Sequence, residues 1–289
     1  MHEKNKLNQK KGIYLVPNMI TTAGLFFGFY AIVSGIKGDF EYAAISLFIA
    51  MLMDTADGRV ARITNTQSDF GAQLDSLSDM VCFGVTPALV AYSWGLQYLG
   101  KLGWLAAFFY VAATALRLAR FNINLGSEEE GGFGKQNFTG LPCPAAAAVV
   151  ASMVWIGTDF AIPGKVISYE VAALTAALGF LMVSNINYYS FKDIDFRGKV
   201  PFVGILLCLL IILLVAWDPP KVLFSVFSIY ALSGVVGSVY DFFTVRAENK
   251  TKLAVARATL TEVNINEFAN FKNNPLDIVD KVKSASNKQ

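Results

Sequence analysis

The chain has 289 residues, 54% of them hydrophobic and 16% charged, with a net charge of +2. That composition excludes an ordinary soluble domain. A single histidine, His2, leaves no histidine chemistry, and Cys82, Cys143 and Cys208, isolated in apolar surroundings with no C-x-x-C, read as small core hydrophobes rather than a disulfide framework or a thiolate metal site.

In chain order, residues 1–16 carry Lys4, Lys6, Lys10 and Lys11 before the sequence turns apolar. A secretory signal peptide begins similarly, but the apolar stretch to about Ile36 is too long and no small-residue cleavage site follows. The segment reads as a basic cytoplasmic lead-in to a first span. Eight spans are expected, at about 17–36, 42–62, 72–96, 102–124, 142–160, 168–190, 200–217 and 221–243, each near the roughly 20 residues that cross a hydrocarbon layer. The fold class is therefore an all-α polytopic membrane protein.

Lysine and arginine placement sets the orientation. With the N-terminus inside, only Lys37, Lys101, Lys165 and Lys221 of the 24 basic residues fall in outer loops. Without the C-terminal tail the bias is still 12 to 4. Both termini are expected on the cytoplasmic side. Trp94, Trp104 and Trp217 are expected as interfacial aromatics at the outer ends. The polar tail from about Arg246 to Gln289 forms either a short surface helix or no fixed structure.

Spans two and three meet in DTADGRVARITNTQSDFGAQLDSLSD, residues 54–79. Asp54 and Asp57 are three apart, and Asp75 and Asp79 four apart, so each pair shares a helix face. Two carboxylates about 4 Å apart repel by about 4 kcal/mol at an effective dielectric of 20. Four of them on facing helices need protons or cations between them, and two divalent ions, Mg²⁺ or Mn²⁺, cancel the charge. The alternative is four separately solvated acids. Against it, Gly58, Ala61 and Gly71 are small side chains patterned beside the acids, leaving room for a bulky ligand.

The full spacing, D-x2-D-G-x2-A-R-x8-G-x3-D-x3-D, is filled by Asp54, Asp57, Gly58, Ala61, Arg62, Gly71, Asp75 and Asp79, and resembles the signature of the CDP-alcohol phosphatidyltransferases. The resemblance implies attack of an alcohol on a CDP-activated lipid, with release of CMP. It implies Asp54, Asp57 and Asp75 as ligands of two divalent cations. Asp79 completes the metal site as a fourth ligand, touching one cation, and acts as general base. Gly58, Ala61 and Gly71 admit the nucleotide beside Asp54. Arg62 either pairs with a phosphate, holds the acidic cluster in shape, or anchors the helix at the membrane surface. Pro17, Asn18 and Thr21 resemble the family's opening segment near the nucleotide, or are simple helix-start residues.

Two later stretches, RLARFNIN (117–124) and FTGLPCPAAAA (138–148), resemble the membrane-spanning, serine-accepting branch of that family. Arg117 and Arg120 share a helix face, and arginine binds a carboxylate bidentately, so both are expected to bind the acceptor, with Asn137 and Thr139 as further contacts. The competing reading makes both arginines inner-side anchors. The segment from Thr139 to Pro144 is either a plain helix start or a re-entrant loop. Lys135, Lys192, Arg197 and Lys199 attract anionic lipid or only set topology.

The expected organisation is a lead-in (1–16), a six-helix catalytic core (17–190), two additional spans (191–245) and a polar tail (246–289). The expected partners are CDP-diacylglycerol, L-serine, membrane lipid and, by resemblance, a second copy of the chain in a homodimer; no nucleic acid is expected. The expected location is a bacterial- or archaeal-type cytoplasmic membrane, with the active site opening to the cytoplasm. Rival readings are the same chemistry on glycerol 3-phosphate, an intramembrane prenyltransferase, or a cation transporter.

Overall fold

The structure is a computed structural model and describes residues 15–128, 138–188 and 202–238. Helix α1 (Leu15–Lys37) carries Pro17 in its first turn, where a missing N–H costs nothing, and ends before Gly38, whose φ of +89° lets the chain reverse. Its buried face is Pro17, Thr21, Gly24, Gly28, Ala31, Ser34 and Gly35, all compact side chains. Lipid is as apolar as leucine, so close backbone approach drives helix association there, and small residues permit it. A Cβ at Gly28 would stand 2.6 Å from Cys82 Sγ, and one at Gly35 3.1 Å from Val90 Cγ2. The other face exposes Met19, Phe26, Phe29 and Ile36, as a lipid-facing surface should.

Helix α2 (Phe40–Thr64) packs along α1 and carries the first acidic pair. The third expected span is continuous but changes pitch: α3 (Asp69–Asp79), a widened π turn (Met80–Val85) and α4 (Thr86–Trp94). Pro87 explains part of this. It has no N–H for the Phe83 carbonyl, which instead accepts from the fully buried Tyr110 hydroxyl at 3.2 Å. Thr86 supports the same bend, its hydroxyl donating to Val81 O at 2.9 Å and to Gly28 O at 3.2 Å.

After a 3₁₀ turn (Leu96–Leu99) come α5 (Lys101–Glu128), strand β1 (Phe138–Thr139), α6 (Cys143–Asp159), α7 (Ser168–Val183), strand β2 (Asn187–Tyr188), α8 (Phe202–Trp217) and α9 (Pro219–Ser238). Among the described residues, Leu15–Lys37, Asp69–Trp94, Lys101–Ile123 and Pro219–Ser238 are long and apolar enough to cross a membrane. α6 and α7 are apolar but shorter, at 17 and 16 residues. α6 is the centre of the core, with its run Ala145–Ala151 buried throughout.

The structure departs from the sequence reading in three places. The sixth span stops at Val183 rather than about 190, because Ser184 turns extended (ψ 159°) and the chain pairs Asn187–Tyr188 antiparallel with Phe138–Thr139. Gly140 (φ +88°) donates to Ile186 O at 2.8 Å, and Leu141 to Leu181 O at 3.0 Å, so the returning segment takes up carbonyls near the end of α7. The segment from Thr139 to Pro144 is thus a ladder followed by a helix start, with Pro142 preceding α6. Finally, Trp94 is not interfacial: it is 5% exposed, packed on Gly157 and Gly164, whereas Trp104 and Trp217 are exposed.

Cys82 and Cys143 are buried free thiols. The Cys208 side chain, residues 239–243 of the eighth span, the lead-in to residue 14, Asn137, the loop lysines and arginine (Lys135, Lys192, Arg197, Lys199) and the tail lie outside the described residues. The described residues up to Val235 form one compact unit. Within it α9 packs on the core through Leu223, Phe224, Phe227 and Tyr230, with Phe227 and Phe48 rings 6.5 Å apart.

Candidate active site

Helix α2 ends because Asn65 takes a left-handed conformation (φ 50°, ψ 43°), which places Thr66 N on Ala61 O at 3.0 Å. Ser68 then caps α3, accepting from Gly71 N at 3.1 Å. This short connection returns the chain so that the acids of α3 come back to those of α2. Ligand atoms of Asp54, Asp57 and Asp75 all lie within 4.8 Å of one another. Each ionised pair at that distance repels by about 3 kcal/mol at an effective dielectric of 20. Among the described residues no lysine or arginine forms an ion pair with them. An all-oxygen, anionic donor set without a basic partner fits a hard divalent cation.

Asp79 stands outside that trio, its carboxyl next to that of Asp54. Asp57, 4% exposed, accepts from the Thr21 hydroxyl at 2.5 Å. Thr21 also donates to Pro17 O at 3.1 Å, and Ser78 to Thr21 O at 3.5 Å, so α1 ties the two acid-bearing helices together.

Beside the acids opens a pocket of about 380 Å³, within the usual range of small-ligand sites, lined by Asn18, Asp57, Gly58, Arg62, Gly71 and Asp75 among others. Pro17, Thr21 and Ala61 line it too. A Cβ at Gly58 would meet nothing within 4 Å, so the glycine leaves space rather than permitting a helix contact. Gly71 differs: a Cβ there would stand 3.2 Å from both Asn18 Oδ1 and Ser68 Oγ. Arg62 is exposed and folds back on its own helix, Nε donating to Gly58 O at 3.0 Å. It therefore does not brace the acidic cluster, which removes one of its three sequence readings. Its place on the pocket rim keeps the phosphate reading in play.

The second region gathers around α5. Arg117 donates from Nη1 to Cys143 Sγ at 3.5 Å, and its Nε is buried with no hydrogen-bond partner. Arg120 is committed elsewhere, donating to Asn185 Oδ1 at 3.0 Å, and is exposed. Thr139 is half-buried in the ladder.

Sequence reasoning missed four participants. Thr66, Gln67 and Ser68 line the pocket from the α2–α3 connection, and Asn122 of α5 donates to Ser76 Oγ at 2.7 Å, next to Asp75. Ser68 had a local signal, a serine opening an acidic first turn. Asn122 had none.

Comparison with known proteins agrees with the geometry. The family model described as CDP-alcohol phosphatidyltransferase matches residues 14–183. A CDP-diacylglycerol–serine O-phosphatidyltransferase of Helicobacter pylori is 33% identical over 224 residues, covering 78% of this chain and 91% of the relative. The archaetidylserine synthase of Methanothermobacter thermautotrophicus is 33% identical over 186 residues, covering 63% of this chain and 73% of the relative. A CDP-diacylglycerol–serine O-phosphatidyltransferase of Methanocaldococcus jannaschii is 32% identical, covering 66% and 81% respectively.

Proposed function

The chain belongs to the CDP-alcohol phosphatidyltransferase family, and on that premise we propose that it transfers the phosphatidyl group of CDP-diacylglycerol to the hydroxyl of L-serine, giving phosphatidylserine and CMP. The observation that carries the reading is the trio Asp54, Asp57 and Asp75 beside a pocket lined by Gly58, Ala61, Arg62 and Gly71 of the same motif. The relatives named for serine transfer support the acceptor.

Asp54, Asp57 and Asp75 hold the divalent cations, Mg²⁺ or Mn²⁺. Bound there, the cations supply charge neutralisation for a pyrophosphate and a stabilised leaving phosphate. The chain's own residues do the rest. Asn18, Gly58, Ala61 and Gly71 seat the nucleotide, and Arg62 meets a phosphate at the rim. Thr21 acts one step back, fixing Asp57. Asp79 completes the acidic site and takes the proton from the serine hydroxyl as its oxygen attacks the lipid-side phosphorus; the bond to the CMP oxygen breaks and CMP leaves. Arg117 pairs with the serine carboxylate. Arg120, with Asn137 and Thr139, borders the acceptor side. The acyl tails stay in the bilayer, the site opens to the cytoplasm, and the enzyme works as a homodimer. The six-helix segment 17–190 carries the chemistry, with two further spans and a polar tail after it.

The test is CMP release from CDP-diacylglycerol by the purified chain, with serine or glycerol 3-phosphate, in Mg²⁺, in Mn²⁺ and after chelation. Serine-dependent release that stops on chelation is expected. Release with glycerol 3-phosphate and none with serine would replace the acceptor, and no metal-dependent release would end the reading.

A further inference from the structure

The span that carries Asp75 and Asp79 is held to α1 by a row of small side chains. The Ser78 hydroxyl donates to Thr21 O at 3.5 Å, the Cys82 thiol to Gly24 O at 3.5 Å and the Thr86 hydroxyl to Gly28 O at 3.2 Å. The π turn lies inside that row and begins at Met80, directly after Asp79. The Thr86 N–H reaches Val81 O, five residues back rather than four, so the turn holds one residue more than an α turn. Beyond it, α4 is fixed by its buried side chains Ala88, Val90, Ala91 and Trp94. Rewinding the turn to α would therefore rotate α3 against α4 by about 100°, the angle of one residue. On a helix about 10–12 Å across, that rotation moves a side-chain tip by about 8 Å. The ligand atoms of Asp54, Asp57 and Asp75 all lie within 4.8 Å of one another, so the α register would part Asp75 from the other two.

We infer that Tyr110 is a positioning residue for the metal-binding acids: it holds the π turn that aims Asp75 and Asp79 at α2. Its fully buried hydroxyl gives Phe83 O, at 3.2 Å, the donor that Pro87 lacks. That bond forms where the turn carries Phe83 O toward α5, so it favours the π register over the α register. In an apolar surrounding a carbonyl without a donor is costly, which gives the single bond its weight. Two glycines make room for it. A Cβ at Gly84 would stand 3.1 Å from Thr114 Cγ2, and one at Gly179 of α7 3.4 Å from Tyr110 Cα, so α5 approaches closely on both sides. The inference rests on the metal reading above.

The experiment uses the purified full chain and reads Mn²⁺ affinity by calorimetry, melting temperature in detergent and kcat for CMP release. The variants are Tyr110→Phe, the same with Pro87→Ala added, and Thr175→Val. Tyr110→Phe removes one hydroxyl and no ring; it is expected to weaken Mn²⁺ binding about tenfold and to lower kcat with it. Pro87→Ala adds an N–H four residues after Phe83, the ordinary α partner of its carbonyl. The double variant is therefore expected to regain melting temperature without regaining Mn²⁺ affinity. A merely structural hydroxyl would let both recover together, and that result overturns the inference. Thr175→Val deletes another buried hydroxyl, bonded within α7 to Val171 O at 2.7 Å, and is expected to bind Mn²⁺ as the wild type does; an equal loss there also overturns it. Should Tyr110→Phe fail to fold, Thr86→Val removes the hydroxyl that serves Val81 O in the same turn and is judged by the same measurement. Mn²⁺ bound equally by wild type and Tyr110→Phe removes this inference and leaves the metal reading standing. No Mn²⁺ binding by the wild type removes the metal reading and this inference with it.

Discussion

For Thr21 the sequence leaves open nucleotide contact or a simple helix start, and the structure adds support of the acids. Its hydroxyl donates to Asp57 at 2.5 Å inside a buried contact, so Thr21→Val keeps the shape and removes one hydrogen bond to an acid. A bond to a charged group contributes about 1.5–3 kcal/mol, which corresponds to roughly 10- to 150-fold in an equilibrium constant. Residues that orient metal ligands cost about 10- to 100-fold in metal affinity when removed, so the two scales agree. The expected outcome is weaker Mn²⁺ binding, read by calorimetry on the purified chain, and a matching rise in the Mn²⁺ needed for half-maximal CMP release. Thr21→Ser restores the donor and is expected to recover most of the loss. Metal dependence unchanged, with the KM for CDP-diacylglycerol raised instead, would refute the support role and restore nucleotide contact.

Asp79→Asn keeps a group beside Asp54 but removes the base; turnover is expected to vanish while Mn²⁺ binding by the other three acids persists, and near-normal CMP release would remove the assignment. Gly58→Ala adds a methyl to open space, so thermal stability should hold while the KM for CDP-diacylglycerol rises; an unchanged KM would place the nucleotide elsewhere. Gly28→Ala puts a Cβ 2.6 Å from Cys82 Sγ against the span that carries Asp79. It should destabilise by about 1–3 kcal/mol, the usual cost of overpacking, seen as a lower melting temperature in detergent. A melting temperature equal to wild type would show that the α1 interface yields.

The acids were legible because their constraint is local. Asp54 with Asp57, and Asp75 with Asp79, lie one helical turn apart, and any helix puts each pair on one face. The small residues around them were legible as a pattern, but not in their separate jobs. Gly58 leaves space and Gly71 fits tightly against Asn18 and Ser68, a difference set by what lies across the gap. Arg62 and Arg120 looked equivalent to Arg117 as basic residues at helix ends. Only packing showed Arg62 turned onto Gly58 O, Arg120 spent on Asn185, and Arg117 left with a buried nitrogen to satisfy. Trp94 misled for the same reason: an aromatic near a span end is interfacial unless a neighbour such as Gly157 makes room for it inside.

Sequence by itself determined the membrane-spanning helices, the acidic pairs and the chemistry they imply, because hydropathy and helical spacing act over a few consecutive residues. Tertiary structure alone decided that Thr21 serves Asp57, that α7 stops early to form a ladder, and that Tyr230 of α9 packs on Tyr188. Those contacts join residues as much as 50 positions apart, Phe138 and Tyr188 the farthest. No local preference specifies such a meeting; it follows from how the helices pack.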